Sequence, residues 1–206
     1  MRHFGRKEEV HEALTVLGKQ MALAGAEDIW LLCCGGSGLC VLELISRSTK
    51  DVDALALIVD GTTLKPIEGF SAEMEKAIAQ TAGLLGLESD WLNGEASILL
   101  ERGLPDGILE RAGGHAWQYG PCLTVEFIDR LDQVALKLYA AMDLLKGRRH
   151  VEDLVEMCPT EPEIQHGLKW LGAWQSNDAF KKRLAFLVEA LGFPGMASDF
   201  AKGKDT

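Results

Sequence analysis

No stretch of this 206-residue chain approaches the ~18 consecutive apolar residues of a membrane-spanning helix. The opening Met1-Arg2-His3-Phe4-Gly5-Arg6-Lys7 is charged, and no apolar core of a leader peptide follows it. Cysteine is sparse: of five, Cys33 and Cys34 are adjacent and the rest scattered, which fits neither a disulfide framework nor a zinc-ligand spacing. These absences lead us to expect a cytoplasmic protein with reduced thiols and no membrane partner. Basic charge is also in deficit, with 21 Lys and Arg against 31 Asp and Glu and a net charge of −10. A protein that grips a long polyanion usually presents a basic surface. A nucleotide, a metal ion or a short RNA end therefore suits the chain better than a long nucleic acid. Local basic segments do exist, Lys146-Gly147-Arg148-Arg149-His150 and Lys181-Lys182-Arg183, and such patches act within a Debye length. The chain has no internal repeat and no Gly-x-x-x-x-Gly-Lys-Ser/Thr phosphate loop.

What is present is an ordinary globular composition, 47% hydrophobic and 25% charged, with room for one large or two small domains. Val10, Leu14, Leu17 and Met21 recur at helical spacing, predicting a helix from Glu8 to about Leu23. The apolar run Asp28–Cys34 reads as a buried strand in which the two cysteines serve as small apolar residues. A short helix over Gly38–Ser46, a second buried strand over Val52–Val59 and a helix over Ser71–Leu85 follow. Trp91–Gly94 reads as a turn, Ala96–Arg102 as a short helix and Ile108–Ile128 as a hairpin ending in Leu123–Ile128. Helices are expected over Leu131–Leu145, from near His150, over Pro162–Trp174 and over Asn177–Leu191, the last capped by Asn177 or Ser176. Ala197–Thr206 reads as a polar, frayed tail. The expected organisation is α+β, with an α/β-like domain over 1–129 followed by a helical region over 130–206.

Two short motifs carry chemistry. Cys34-Gly35-Gly36-Ser37-Gly38 places a glycine turn and a hydroxyl between a strand and a helix. Glycines without a Cβ let backbone approach a ligand, and the N–H groups at a helix start favour an anion. On the next strand Asp51-Val52-Asp53 sets two carboxylates on one face, their Cα atoms roughly 6.6 Å apart at the usual strand rise. Paired acids of this kind suit Mg²⁺, which binds one or two carboxylates together with substrate phosphates.

The order of these motifs resembles the polymerase-β-type nucleotidyltransferase superfamily: an apolar strand, Gly-Gly-Ser, a spacer, then Asp-x-Asp on the next strand. Arg47-Ser48-Thr49-Lys50-Asp51-Val52-Asp53 is similar to the AbiEii-like branch found in toxin–antitoxin systems. So are a later helix bearing Lys137 and the segment His150-Val151-Glu152-Asp153-Leu154. The resemblance implies a nucleotidyltransferase fold, a small mixed sheet flanked by helices. It implies Asp51 and Asp53 as catalytic metal ligands for Mg²⁺ or Mn²⁺, with Gly35, Gly36, Ser37 and Thr49 around the triphosphate. Lys137 would neutralise phosphate charge, and Asp153 would orient that lysine or hold helices together. Active members bring a third acid from a later strand, for which Glu126 is the first candidate and Asp90 the second. The arginine of the lysine helix is displaced here toward Arg148 and Arg149.

The expected activity is transfer of a nucleoside monophosphate from a nucleoside triphosphate to an acceptor hydroxyl on tRNA, another RNA end or a protein. A toxin role would add an antitoxin partner. Two alternatives stand beside it. One is a nucleotidyltransferase-like scaffold that binds without turnover. The other is a dinucleotide-binding module, in which Gly36-Ser37-Gly38 is the phosphate turn and Asp60 the ribose-binding acid.

Overall fold

The computed structural model describes residues 2–174 and 177–203, so Ser176 and the last three residues of the expected tail lie outside the described residues. Contacts divide the chain into two compact units, one comprising Met1–Gly103 and Gly107–Asp129, the other Leu104–Asp106 and Arg130–Thr206.

The first unit is mixed α+β. It contains α1 (Lys7–Ala24), β1 (Ile29–Cys34), α2 (Gly35–Val41), β2 (Val52–Val59), β3 (Thr63–Lys65), α3 (Ala72–Leu85) and β4 (Leu92–Asn93). A 3-10 helix (Glu95–Arg102), α4 (Ile108–Ala112), β5 (Ala116–Gln118) and β6 (Leu123–Phe127) follow. The sheet order is β3-β2-β1-β6-β5, with β4 pairing the start of β2. β1 runs antiparallel to β2 and parallel to β6, so the sheet is mixed.

One face of this sheet carries the core. Leu31 and Cys33 of β1, Val52 and Ala54 of β2 and Leu123, Val125 and Phe127 of β6 cluster with Val10, Leu14, Leu17 and Met21 of α1 and Met74 and Ile78 of α3. The helical spacing of the α1 residues turns one stripe of that helix onto the sheet, while strand alternation sends every second residue to the opposite face. Trp91 is fully buried and donates its indole N–H to the Ile78 carbonyl at 3.2 Å, which satisfies its one polar atom. Gly18 is where α1 lies hard against the β5–β6 connection: a Cβ there would overlap the Tyr119 carbonyl carbon, 2.6 Å away.

Several segments differ from the sequence reading. The helix expected over Gly38–Ser46 spans Gly35–Val41 instead. Gly35, at φ 73°, reverses the chain in a single residue, so the helix begins directly at the strand end. Glu43, at φ 55°, ends it early, its side chain held at 2.8 Å by Lys7. Trp91–Gly94 is not simply a turn, because Leu92 and Asn93 pair in parallel with Val52 and Asp53. A two-residue strand made by distant pairing leaves no periodic trace in sequence. The segment Ile108–Ile128 begins with a short helix and becomes a hairpin only from Ala116.

The second unit is helical: α5 (Arg130–Ala140), α6 (Gly147–Met157), α7 (Glu161–Gly172), α8 (Asp178–Ala190) and α9 (Pro194–Ala201). α5 stops five residues short of the expected Leu145 because Asp143 Oδ1 accepts the backbone N–H groups of Leu145 and Lys146, at 2.7 and 3.0 Å. That local turn competes with helix and starts α6 at Gly147. Asn177 caps α8 by accepting the Phe180 N–H at 2.8 Å. The expected frayed tail is helical to Ala201, because Ala197 and Phe200, three residues apart, are both buried.

Replacing Gly18 with Ala should therefore lower stability by about 1–3 kcal/mol, since the new methyl meets backbone that cannot yield without moving the hairpin. Chemical denaturation reads this directly, and an unchanged midpoint would mean that α1 is not held as described.

Candidate functional site

The two sequence motifs form one site because β1 and β2 are neighbours. Cys34, the last residue of β1, pairs with Asp53. The chain then turns at Gly35 and runs across the acid strand. A Cβ at Gly35 would fall within the van der Waals shell of the Asp53 carboxylate, with Cγ only 3.0 Å away. A Cβ at Gly36 would meet the Cβ of Thr49 at 2.8 Å. The two glycines thus have a use that sequence reading did not give them: they admit Asp53 and Thr49 to the turn.

Thr49 is itself nearly fully buried. Its backbone pairs with Phe4 through bonds of 2.7 and 2.9 Å, and its hydroxyl donates to Asp51 Oδ1 at 3.1 Å. The N-terminal segment therefore fixes the approach to β2, and Thr49 positions Asp51. Within the acid strand, the Val52 N–H donates to the Trp91 carbonyl at 2.6 Å. Asp51 and Asp53 are half-buried, leaving their carboxylates partly open to solvent. Ser37 is fully buried and its hydroxyl donates to the Cys34 carbonyl at 3.4 Å, within the turn itself. Burial raises the Cys33 thiol well above its ordinary pKa, with Cys34 and the Asp53 charge adding to the effect, so it is a neutral core residue.

Glu126 lies on β6, opposite Leu32, while Asp53 lies opposite Cys34. All share the sheet face turned away from the α1–α3 core, with Glu126 two residues further back along β1 and on its far side. Glu126 is 4% exposed, and its Oε2 makes no hydrogen bond among the described residues. Burial raises its carboxyl pKa, and the neighbouring Trp30 indole N–H opposes the rise. Among the described residues no three His, Cys, Asp or Glu side chains gather around one point, so Glu126 does not join Asp51 and Asp53 in a three-acid cluster. Asp90, the second candidate, lies in the turn before β4.

Lys137 and Asp153 belong to the helical unit, where they form an ion pair. Lys137 Nζ donates to Asp153 Oδ2 at 2.7 Å and lies 3.4 Å from His150 Nδ1, with both side chains of the pair almost wholly buried. The pair ties α5 to α6. Sequence reading missed the rest of this polar interior. Asp132 meets His166 of α7 at 3.0 Å, and Arg130 donates to Glu163 at 2.6 Å. Gln133, one turn before Lys137, is fully buried with neither amide atom bonded among the described residues. The available signal was polar residues at positions 133 and 137, four apart within an otherwise apolar helical stripe.

The topology does not suit the dinucleotide alternative. A dinucleotide fold needs β1 and β2 parallel with a crossover helix between them, whereas here they are antiparallel and Asp60 sits with Gly61 in the hairpin turn to β3, both at positive φ. Comparison with family models, with curated proteins and with solved structures gave no match.

Two outcomes follow. Below the ordinary carboxyl value of 4.5, Glu126 is neutral folded and unfolded, and its contribution to stability is fully present. That contribution is lost as pH rises through its higher folded-state value, because the folded chain holds the proton more tightly. Glu126→Gln, neutral at every pH, should therefore gain melting temperature over the parent as pH rises from about 4 to about 8. A pH-independent difference would place Glu126 in water. For the ion pair, Lys137→Met should cost about 3–5 kcal/mol by stranding Asp153, and Lys137→Met with Asp153→Leu should recover most of it. Denaturation of the three proteins distinguishes this from loss of packing alone, in which the double variant would be no better than the single.

Proposed function

We propose that the chain is a metal-dependent nucleotidyltransferase of the polymerase-β type, with Asp51 and Asp53 at its centre. The observation that carries this reading is the close approach of the Gly35-Gly36 turn to Asp53 and to Thr49, which in turn bonds Asp51, so that the glycine turn and the acid strand are parts of a single place. The donor set is chemically suited to Mg²⁺ or Mn²⁺: two half-buried carboxylates, hard oxygen ligands on alternate residues, with Thr49 steering one of them. A bound ion would neutralise the triphosphate and the departing pyrophosphate.

In the proposed reaction the acceptor hydroxyl oxygen bonds to the α-phosphorus as the bond to the pyrophosphate oxygen breaks, and the hydroxyl proton passes to solvent. The chain's own residues would bind and orient. Gly35, half-buried at the turn, would present backbone to the phosphates, Gly36 lets the turn lie against Thr49, Ser37 would stiffen it, and Asp51 and Asp53 would hold the cation. Lys137, paired with Asp153, is the cation that the family resemblance assigns to phosphate charge. The AbiEii-like resemblance points to an RNA end, such as tRNA, or a protein as acceptor, and to a cytoplasmic toxin with an antitoxin partner.

One observation favours a second reading. The acids of the first unit do not form a triad, which suits a nucleotidyltransferase-like scaffold that binds nucleotide without turning it over.

Label transfer separates the two. Each α-labelled nucleoside triphosphate is incubated with Mg²⁺ or Mn²⁺ and with total tRNA or cell lysate, using the parent and Asp51→Asn/Asp53→Asn. We expect acceptor labelling that falls at least about a hundredfold in the variant. Folded parent that binds nucleotide yet labels nothing would favour the scaffold.

A further inference from the structure

We infer that the helical unit holds a second site, built to bind a small amphiphilic anion with an apolar body and one negatively charged head. It is a cavity of about 420 Å³ bounded by the turn after α5, by α6 and by one face of α8. That size falls in the range of about 300–1,000 Å³ typical of small-molecule pockets, which are mostly apolar with a few placed polar groups. Met142 and Val151 form one wall and Phe186 and Leu187 the other. Lys182 and Arg183 lie one helical turn before Phe186 and so on the same face of α8.

Three observations select an anion. Neither Lys182 nor Arg183 makes an ion pair or hydrogen bond among the described residues, although the chain is rich in acids. Asp143, the acidic residue of the wall, has its Oδ1 already bonded within its own turn by the backbone N–H groups of Lys146 and Leu145, which lower its pKa. The helical region is also balanced in charge, unlike the rest of the chain. Residues 130–206 contain 11 basic and 11 acidic side chains, against 10 and 20 in residues 1–129. An apolar tail is selected by Phe186, which is 74% exposed despite its size and lines the cavity. An aromatic ring left in water beside two unpaired cations provides both contacts an amphiphilic anion needs.

The site is independent of nucleotide transfer and stands if that reading fails. Its ligand chemistry is shared by free carboxylates and by anionic lipid in a bilayer, and the proposal is for the free molecule. Calorimetric titration of the full chain with octanoate, octylamine and octanol tests it. Octanoate should bind about tenfold more tightly than octylamine. Lys182→Glu/Arg183→Glu, at exposed positions, should melt like the parent and lose or invert that preference. Phe186→Ser should weaken octanoate about tenfold while leaving the preference for the acid over the amine. Equal affinity for acid and amine, no effect of charge reversal, or no binding at millimolar octanoate would each overturn the proposal. So would sedimentation of the protein with anionic phosphatidylglycerol vesicles that octanoate does not compete away, which would make this face a membrane contact instead.

Discussion

The site in the first unit depends on two missing methyl groups. At the end of β1 the chain must turn sharply and pass over the neighbouring strand, and the atoms it passes over are the carboxylate of Asp53 and the side chain of Thr49. Any Cβ at positions 35 or 36 would push the turn away from the acids. Gly35 also takes a left-handed backbone angle that other residues adopt only with strain. The place of Asp53 and Thr49 beside the turn therefore follows from one close approach.

Around that contact the fold is arranged so that the acid strand cannot drift. Phe4 clamps Thr49 through two backbone bonds, and the Trp91 carbonyl holds the amide of Val52. Both anchors are deeply buried and meet edge to face, with ring centroids 6.2 Å apart. The acid strand and its approach are thus tied to segments 45 residues before Thr49 and 39 after Val52, which makes their geometry a property of the whole unit. Glu126 shows the opposite economy on the same sheet face: a buried acid with an unbonded oxygen, held where burial favours its neutral form.

The helical unit is organised by polar contacts inside an apolar bundle. α5 presents Arg130 and Asp132 to α7 and Lys137 to α6, so each neighbour is registered by a charge pair as well as by packing. Such pairs add little net stability where their desolvation offsets their attraction, yet they penalise any arrangement that separates them. Glu163 illustrates the balance. Burial pushes its pKa up, but bonds from Arg130 and from Thr160, the cap of α7, outweigh that and leave it lowered. Against this ordered interior, Lys182 and Arg183 on α8 stand out as charges without a partner among the described residues.

Local pattern was enough for elements whose burial repeats along the chain. The stripe Val10, Leu14, Leu17, Met21 marked α1, the apolar run over Val52–Val59 marked β2, and Asn177 announced the start of α8, because periodicity and capping are written in neighbouring residues. The spacing of Asp51 and Asp53 predicted one face for both; in the structure Asp53 is the second residue of β2 and Asp51 precedes the strand. The early end of α2, the two-residue β4, the α5 stop at Ala140 and the burial of Ser37 and Glu126 were not legible there. Each depends on a partner far away or on one local bond competing with a helix. The sequence by itself determined which residues could turn, carry charge at alternate positions or line a core. Only the tertiary structure decided that the glycines stand against the acids, that Lys137 is joined to Asp153 and that Glu126 is kept from water, because contact between distant residues is fixed by packing and not by pattern.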